Sequence, residues 1–367
     1  MINYKEILFF VAKCLTISLE EKNRDEIELI LKTTDVDWDA IVKVSTAHYV
    51  FPAIYCNFKK SDFLKYLPND LVSYMEYIAD LNRERNKQII SQAQELNSLL
   101  LDDNIKPIFL KGTANLLAGI YEDIAERMVG DIDFIFSKED YPKAIIALKD
   151  FGYYRKAPPK TVITPFHRHY SRLTKKDSIA AVEIHKNLLL EKYVNEFNYN
   201  FVNKDSQVID GTAVLSYANK LNLSIIANQI NDQGFENRTM ALRNAYDVFL
   251  LSKKTNAMAA VNTLDKLKHP LNCFLAACHE VFNKVDSLEY NNTKKEASFL
   301  NEFNSQFTNP IPTKRQHKFN KIYLFIKYRL NLIYKAIIYK EYRIWLFNLL
   351  TDKDWYKRKL IQLGIKK

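Results

Sequence analysis

The sequence predicts an α+β fold, in which a small mixed β-sheet is embedded in a mostly helical protein. Glycine and proline total only 17 of 367 residues, which favours long helices over tight turns. Apolar residues recur at helical spacing up to about residue 103 and again after about residue 212, and short strand-like runs lie between. The predicted parts are a helical region 1–104, a sheet-containing core 105–212, a helical domain 213–310 and a basic amphipathic tail 311–367.

The N-terminal region is predicted to end in one long helix. Pro68-Asn69-Asp70 is typical of a helix start and Asp102-Asp103-Asn104 of a helix end, with helical periodicity between them. Charged residues interrupt the apolar run at the N-terminus, so we expect an amphipathic helix there rather than a signal peptide. No window reaches the roughly 18 uncharged apolar residues of a membrane span. The sequence therefore predicts a cytoplasmic protein.

The core is predicted to alternate strand, helix, strand, helix and strand. The strands are KPIFLKG, GDIDFIF and SIAAVEIHKNLL, and the helices are TANLLAGIY and KEDYPKAIIALKDFG. The connection before the third strand contains Pro158-Pro159 and predicts a loop, with RHYSRL as a candidate edge strand. Its cations, among them Arg168 and Arg172, form either a lid over a ligand or a solvated basic loop.

Asp131 and Asp133 lie two residues apart in the second strand, so their side chains share one face. Two such carboxylates repel each other and are costly to desolvate unless a cation lies between them. Mg2+, which prefers carboxylate and phosphate oxygens, is the natural partner. If the third strand lies beside the second, Glu183 adds a third carboxylate, and three can hold the two ions of a phosphoryl-transfer site. His185 shares the strand phase of Glu183, and it either orients a metal ligand or contacts the substrate, or else is a histidine satisfied by protein contacts at the strand end.

A lysine–glycine pair follows the first strand directly. Backbone N–H groups at a strand-to-helix turn bind phosphate, and a side chain at Gly112 would block the approach. Lys111 adds a cation, and Thr113 lies near the start of the next helix. Arg127 precedes the acid pair closely enough to reach the same phosphates, and Gly130 lets the chain enter the second strand tightly.

These segments, read as FLKGTANLLAGIY, ERMVGDIDFIF, YPKAIIALKDFGY and AVEIH, resemble a known family. It is the nucleotidyltransferase superfamily of the DNA polymerase β type, in particular its bacterial lysine–glycine branch. The resemblance covers roughly residues 105–190, and ALRNAYDVFLL resembles a later helix of the same branch.

The resemblance implies transfer of a nucleoside monophosphate from an NTP to an acceptor hydroxyl or phosphate, with Mg2+ or Mn2+ as cofactor. Asp131 and Asp133 match the metal-binding pair, and Glu183 matches the third carboxylate, a metal ligand or the general base. Lys111 and Gly112 match the phosphate turn, where the superfamily has Gly-Ser, so the contact to the triphosphate must differ. The expected acceptor is a small molecule, a sugar or an envelope precursor.

The positive charge is concentrated in the tail. The formal charge is +10, and residues 314–367 contain 15 Lys and Arg against 3 acids, so the remaining residues are slightly acidic. Basic residues alternate with aromatic and aliphatic ones at helical spacing, which is typical of a helix on the anionic inner face of a membrane. The alternative is a helix packed on the protein's own body, and nucleic acid is a weaker third partner.

Two other functions remain open for the acid pair. Glycosyltransferases also hold a metal and a nucleotide-sugar with Asp-x-Asp, but this interpretation predicts a larger sheet before the motif, where the chain is helical. A degenerate regulatory protein would bind nucleotide without transferring it, and the intact Asp131, Asp133 and Glu183 weigh against this.

Cysteine spacing predicts no zinc site. Cys273, Cys278 and His279 lie in one apolar helical run, which favours reduced, buried thiols. Asp247 follows Arg243 by four residues on a predicted helix, so the two are expected to form an ion pair.

Overall fold

Five helices precede the first strand of the computed structural model, which describes residues 3–156, 165–308, 310–352 and 356. They are α1 (Tyr4–Cys14), α2 (Glu21–Thr33), α3 (Trp38–Ala47), α4 (Phe51–Lys60) and α5 (Asn69–Asp102). The predicted long helix is confirmed as α5, which begins directly after Pro68 and runs for 34 residues. Pro158-Pro159 of the predicted loop and residues 353–355 and 357–367 of the tail lie outside the described residues.

A mixed sheet of five strands follows, and it confirms the predicted α+β fold. The strands are β1 (Ile108–Leu110), β2 (Asp131–Ile135), β3 (Ala181–His185), β4 (Gln207–Ile209) and β5 (Thr212–Val214). Helices α6 (Lys111–Leu117), α7 (Asp140–Asp150) and α8 (Tyr199–Asn203) connect them. The strand order is β3-β2-β1-β5-β4, in which β2–β3 and β1–β5 are parallel and the other pairs antiparallel. In place of the candidate edge strand, two isolated bridges join His169 and Leu173 to β3.

The hairpin β4–β5 was not predicted, and the expectation of a helix beginning at residue 212 is wrong for Thr212–Val214. Asp210 and Gly211 form the hairpin turn with φ of +47° and +75°. Two positive φ values in succession match the right-handed twist of paired strands, and Asp-Gly is a preferred sequence for such a turn. The Asp210-Gly211 dipeptide was therefore a sequence feature from which this hairpin turn could be predicted.

Amide side chains of α5 hold the segments that lead into the strands. Asn82 and Asn86 donate to the carbonyl oxygen of Arg127 at 3.1 and 2.7 Å, just before β2. Gln92 bonds both backbone groups of Ala180, the residue before β3. Asn97 donates to the carbonyl oxygen of Gly211 in the hairpin turn. These buried amides compensate the desolvation of backbone groups and fix where three strands begin.

The helices after the sheet complete the core. They are α9 (Tyr217–Ile226), α10 (Gly234–Asn237), α11 (Leu242–Ser252), α12 (Ala257–Asn262), α13 (Lys268–Val281) and α14 (Lys294–Thr308). Their apolar residues join those of the sheet and of α1–α5 in one hydrophobic core. The sheet and helices α1–α14 belong to one compact unit, which comprises Met1–Ala157 and Arg168–Pro310. The finer division into four parts stays a prediction.

A second unit comprises Pro158–His167 with Ile311–Lys367. It contains α15 (Pro310–Ile338) and α16 (Lys340–Thr351). Only Pro310, the first residue of α15, belongs to the first unit. Leu332, Ala336 and Tyr342 form a small buried cluster, while many large apolar side chains of these helices are exposed. Among the described residues, none of the helices combines the length and the apolarity needed to cross a membrane.

Candidate active site

The second and third strands place two of the predicted acidic residues side by side. β2 and β3 run parallel, and their register pairs Asp133 directly with Glu183. Ile132 and Phe134, which alternate with the acids along β2, are fully buried in the core, as the two-residue period of a strand requires. Asp133 and Glu183 therefore point to the same face of the sheet.

Lys111 places a positive charge beside these two carboxylates. Leu110 is the register partner of Asp133, and Lys111 follows it as the first residue of α6. The Nζ atom of Lys111 lies 2.6 Å from Oδ1 of Asp133 and 3.8 Å from Oε2 of Glu183. The φ angle of Lys111 is +52°, in the left-handed region that costs a residue with a Cβ about 1–2 kcal/mol. This strained turn holds the ammonium group against the acids.

Burial and charge drive the pKa values of the two carboxyl groups apart. Burial alone would raise the pKa of Asp133, but the charge of Lys111 and the hydrogen bond from His185 hold it well below its usual value. For Glu183, burial and the nearby charge of Asp133 together raise the pKa. The pair thus favours an ionised Asp133 beside a charged Lys111.

His185 completes the cluster from β3. Its Nε2 lies 2.9 Å from Oδ1 of Asp133, and burial lowers the pKa of His185 to about 4. A neutral ring that donates Nε2–H to Asp133 fits both observations. Its buried Nδ1 has no hydrogen-bond partner in the described part of the chain. One donor atom each from Asp133, Glu183 and His185 lie within 4.8 Å of one another, so these three side chains could hold a metal ion.

Asp131, the first acid of the predicted pair, lies outside this cluster of three. Its carboxylate forms an ion pair with Arg172, whose side chain is 56% exposed. Burial raises the pKa of Asp131 despite the charge of Arg172. The Asp131 side chain is 26% exposed, so the pair is half-buried, and a cation that replaced Arg172 would have to supply its charge to keep Asp131 ionised.

The residues of the predicted phosphate turn have roles in packing. A Cβ atom at Gly112 would lie 2.9 Å from Cγ2 of Val129, so this glycine is needed for close packing. Thr113 is buried, and its Oγ1 donates to the carbonyl oxygen of Asp131 at 3.0 Å, which fixes the start of β2. A Cβ atom at Gly130 would meet nothing within 4 Å, so the surrounding protein does not require that glycine.

We expect Gly112→Ala to destabilise the protein by about 1–3 kcal/mol, because the added methyl group overpacks against Val129. The measurement is urea unfolding followed by circular dichroism. Gly130→Ala is the matched control and should change the free energy of unfolding by less than about 1 kcal/mol. Val129→Ala should partly rescue Gly112→Ala, and a Gly112→Ala protein as stable as the control would contradict the packing argument.

Arg127 lies in a buried ion pair next to the turn. Its Nε lies 3.0 and 3.2 Å from the carboxylate oxygens of Asp247, and the hydroxyl group of Tyr121 donates to the same carboxylate at 2.7 Å. The expectation that Asp247 pairs with Arg243 is therefore wrong. Arg243 and Asp247 do have the helical spacing of four residues. However, the nearly fully buried Asp247 forms its ion pair with Arg127, which lies 120 residues earlier in the sequence.

Two further charges lie near Lys111: Arg168, from the loop predicted as a candidate lid, and Asp232, which sequence spacing did not identify. Asp232 follows a π-helical turn, Ala227–Asn231, between α9 and α10. Burial raises the pKa of Asp232, and the charges of Arg168 and Lys111 oppose that rise. Burial and the charge of Arg168 act to lower the pKa of Lys111, but the charges of Asp133 and Glu183 outweigh them and raise it. These residues come from separate segments, and only the tertiary fold brings them within electrostatic range.

Comparison with known proteins assigns the class. Residues 34–283 match the model of a family described as "Uncharacterised nucleotidyltransferase". A nucleotidyltransferase is a transferase, so the chain is an enzyme of that class. The match spans more than half of the sequence, and the chain belongs to this family.

Among curated proteins, none matches the chain. Among solved structures, the crystal structure of JHP933 from Helicobacter pylori is similar, with 15% sequence identity and a TM-score of 0.28. That alignment covers 66% of this chain and 97% of the other.

Proposed function

We propose that this protein is a Mg2+-dependent nucleotidyltransferase that moves a nucleoside monophosphate from an NTP to a small-molecule, sugar or envelope-precursor acceptor. The observation that carries the proposal is the pairing of Asp133 with Glu183 on neighbouring parallel strands, with the ammonium group of Lys111 against both. Such a site offers carboxylate oxygens for a cation and a positive charge for phosphate.

The residues present fit a divalent ion. The donor set is dominated by carboxylate oxygens, which Mg2+ prefers, and the short contact from Lys111 shows that Asp133 already attracts a cation. Asp133 and Glu183 would hold the ion, with Asp131 as a further ligand once Arg172 is displaced. When bound, the ion would offset the negative charge that develops on the triphosphate.

The side chains around the acids would position the substrates. Lys111 and Arg168 are the cations suited to the phosphates, and His185 keeps the Asp133 carboxylate oriented through its hydrogen bond. An acceptor oxygen would attack the α-phosphorus while the bond to the bridging oxygen of the β-phosphate breaks. Pyrophosphate leaves with that electron pair, and a hydroxyl acceptor releases its proton to water.

The test is to incubate purified protein with each labelled NTP, with and without Mg2+, and to measure pyrophosphate release and labelling of the protein or an added acceptor. We expect release that requires the divalent ion and one preferred NTP. NTP binding without pyrophosphate release, across a panel of sugar and phosphate acceptors, would overturn the proposal and favour a regulatory nucleotide-binding protein.

We also propose that the second unit docks on an anionic membrane surface at the inner face. Phe325, Ile337 and Phe347 are 60%, 70% and 68% exposed, among many exposed large apolar side chains of α15 and α16. Extensive exposed apolar surface marks an interaction site. The tail's excess of Lys and Arg complements acidic lipid headgroups.

Co-sedimentation with vesicles tests this docking in the full chain. We expect binding to vesicles that contain phosphatidylserine, weaker binding at high salt, and loss of binding in Phe325→Glu/Phe347→Glu. Ile146→Glu, an equally exposed position on α7, is the control and should bind like the unmodified protein. Equal sedimentation with neutral and acidic vesicles, or no effect of the double substitution, would rule the idea out.

A further inference from the structure

We propose that His269, Cys273 and Glu296 form a zinc-binding site between α13 and α14, independent of the candidate active site. His269 and Cys273 are four residues apart on α13, so their side chains lie on the same side of that helix. Glu296 comes from the first turn of α14. The three donor atoms lie within 4.8 Å of one another.

The distances between these atoms are close to those of a tetrahedral zinc site. Nδ1 of His269 lies 2.8 Å from Oε1 of Glu296, and Sγ of Cys273 lies 3.7 and 3.9 Å from these two atoms. Bonds of about 2.0 Å to nitrogen and oxygen and about 2.3 Å to sulfur place tetrahedral ligands about 3.3–3.5 Å apart. Each distance therefore has to change by at most about half an ångström.

The donor types select the metal. One nitrogen, one sulfur and one oxygen are ligands that Zn2+ accepts, whereas Mg2+ and Ca2+ favour oxygen alone. Cys273 is buried and the side chain of Glu296 is 4% exposed, but that of His269 is 41% exposed, so one side of the site faces solvent. Water can supply the fourth ligand there. Binding would form a zinc–thiolate bond at Cys273 and release the thiol proton to solvent.

Surrounding contacts orient two of the ligands before any metal binds. The hydroxyl group of Thr293 donates to Oε2 of Glu296, which leaves Oε1 turned toward His269. The ring of Phe235 packs edge-on against the imidazole of His269, with 5.4 Å between ring centroids. Such supporting contacts are typical of metal sites because they fix ligand orientation.

The site would fasten α14 to α13. The family match ends at residue 283, within the connection between these helices, so α14 lies beyond the matched segment. A bound ion would thus tie an extension of this chain to the part shared with its family. The spacing of Cys273, Cys278 and His279 predicted no such site, because the ligands are instead His269 and a residue of the next helix.

Cobalt titration of the chelator-treated full chain tests the proposal. We expect one equivalent of Co2+ to produce a thiolate-to-metal charge-transfer band in the near ultraviolet, and Zn2+ to remove it by displacement. The band reports a cysteine ligand, so metal at Asp133 and Glu183 would not give it. Zn2+ should also raise Tm in proportion to the logarithm of its free concentration.

Matched variants complete the test, with circular dichroism as the check on folding. Cys273→Ser should lose the band, and His269→Ala, at a half-exposed position, should weaken Co2+ binding at least about tenfold. Cys278→Ser, buried on the same helix, and Asp133→Asn should keep the band. A folded chain that gives no thiolate band with Co2+, or a band that survives Cys273→Ser, would overturn the assignment.

Discussion

Replacing Asp133 with asparagine is expected to lower the rate of nucleotidyl transfer about 10³-fold or more, because metal and charge contacts at such a site supply several kcal/mol of transition-state stabilisation. The amide keeps the volume of the carboxylate and can still accept a hydrogen bond from His185. It loses the full negative charge that faces Lys111 and would face a divalent ion.

The measurement is pyrophosphate release at saturating NTP and Mg2+, with Tm recorded for each variant. Asp150→Asn, an exposed carboxylate at the end of α7, is the control and should retain the full rate. If folded Asp133→Asn protein works within about tenfold of the unmodified rate, Asp133 does not serve the reaction and the proposed site is wrong.

Asp247→Ala is expected to have the largest effect on stability, about 3–5 kcal/mol, because it leaves Arg127 buried without a counter-charge. The Tyr121 hydroxyl group loses its acceptor in the same change. Urea unfolding at equilibrium measures the loss.

The control for Asp247→Ala is a substitution that breaks an exposed ion pair. Lys143→Ala breaks the contact of a 61% exposed lysine with Asp140 and should cost at most about 1 kcal/mol. The double substitution Arg127→Met/Asp247→Leu should recover much of the stability, because no unpaired charge then remains. An Asp247→Ala protein that unfolds at the same urea concentration as Lys143→Ala would contradict the argument.

Sequence alone predicted the parts of the fold that local patterns determine. The length and period of apolar runs predict β1, β2, β3 and α5. The two-residue period grouped Asp131 with Asp133 and Glu183 with His185, whereas the pairing of Asp133 with Glu183 depended on β3 lying beside β2, which the structure supplies. The hairpin turn at Asp210 and Gly211 was missed although its dipeptide was informative.

The partners of buried charged groups could not be predicted in this way. Asp247 has an arginine within its own helix at suitable spacing, yet it pairs with Arg127 across the core. The contact of Lys111 with Asp133 depends on a left-handed φ that no lysine prefers. Such contacts arise from long-range packing, and spacing along the chain carries no record of them.

The side-chain amides of α5 also limit which mutations this protein can accept during evolution. Asn86 bonds the segment that leads into β2, and Gln92 bonds the residue before β3. One residue inserted between them would rotate the two amides by about 100° and separate them by a further 1.5 Å or so. Substitutions on the outer face of this helix are therefore tolerable, whereas insertions or deletions between residues 86 and 92 would pull Asp133 and Glu183 out of line.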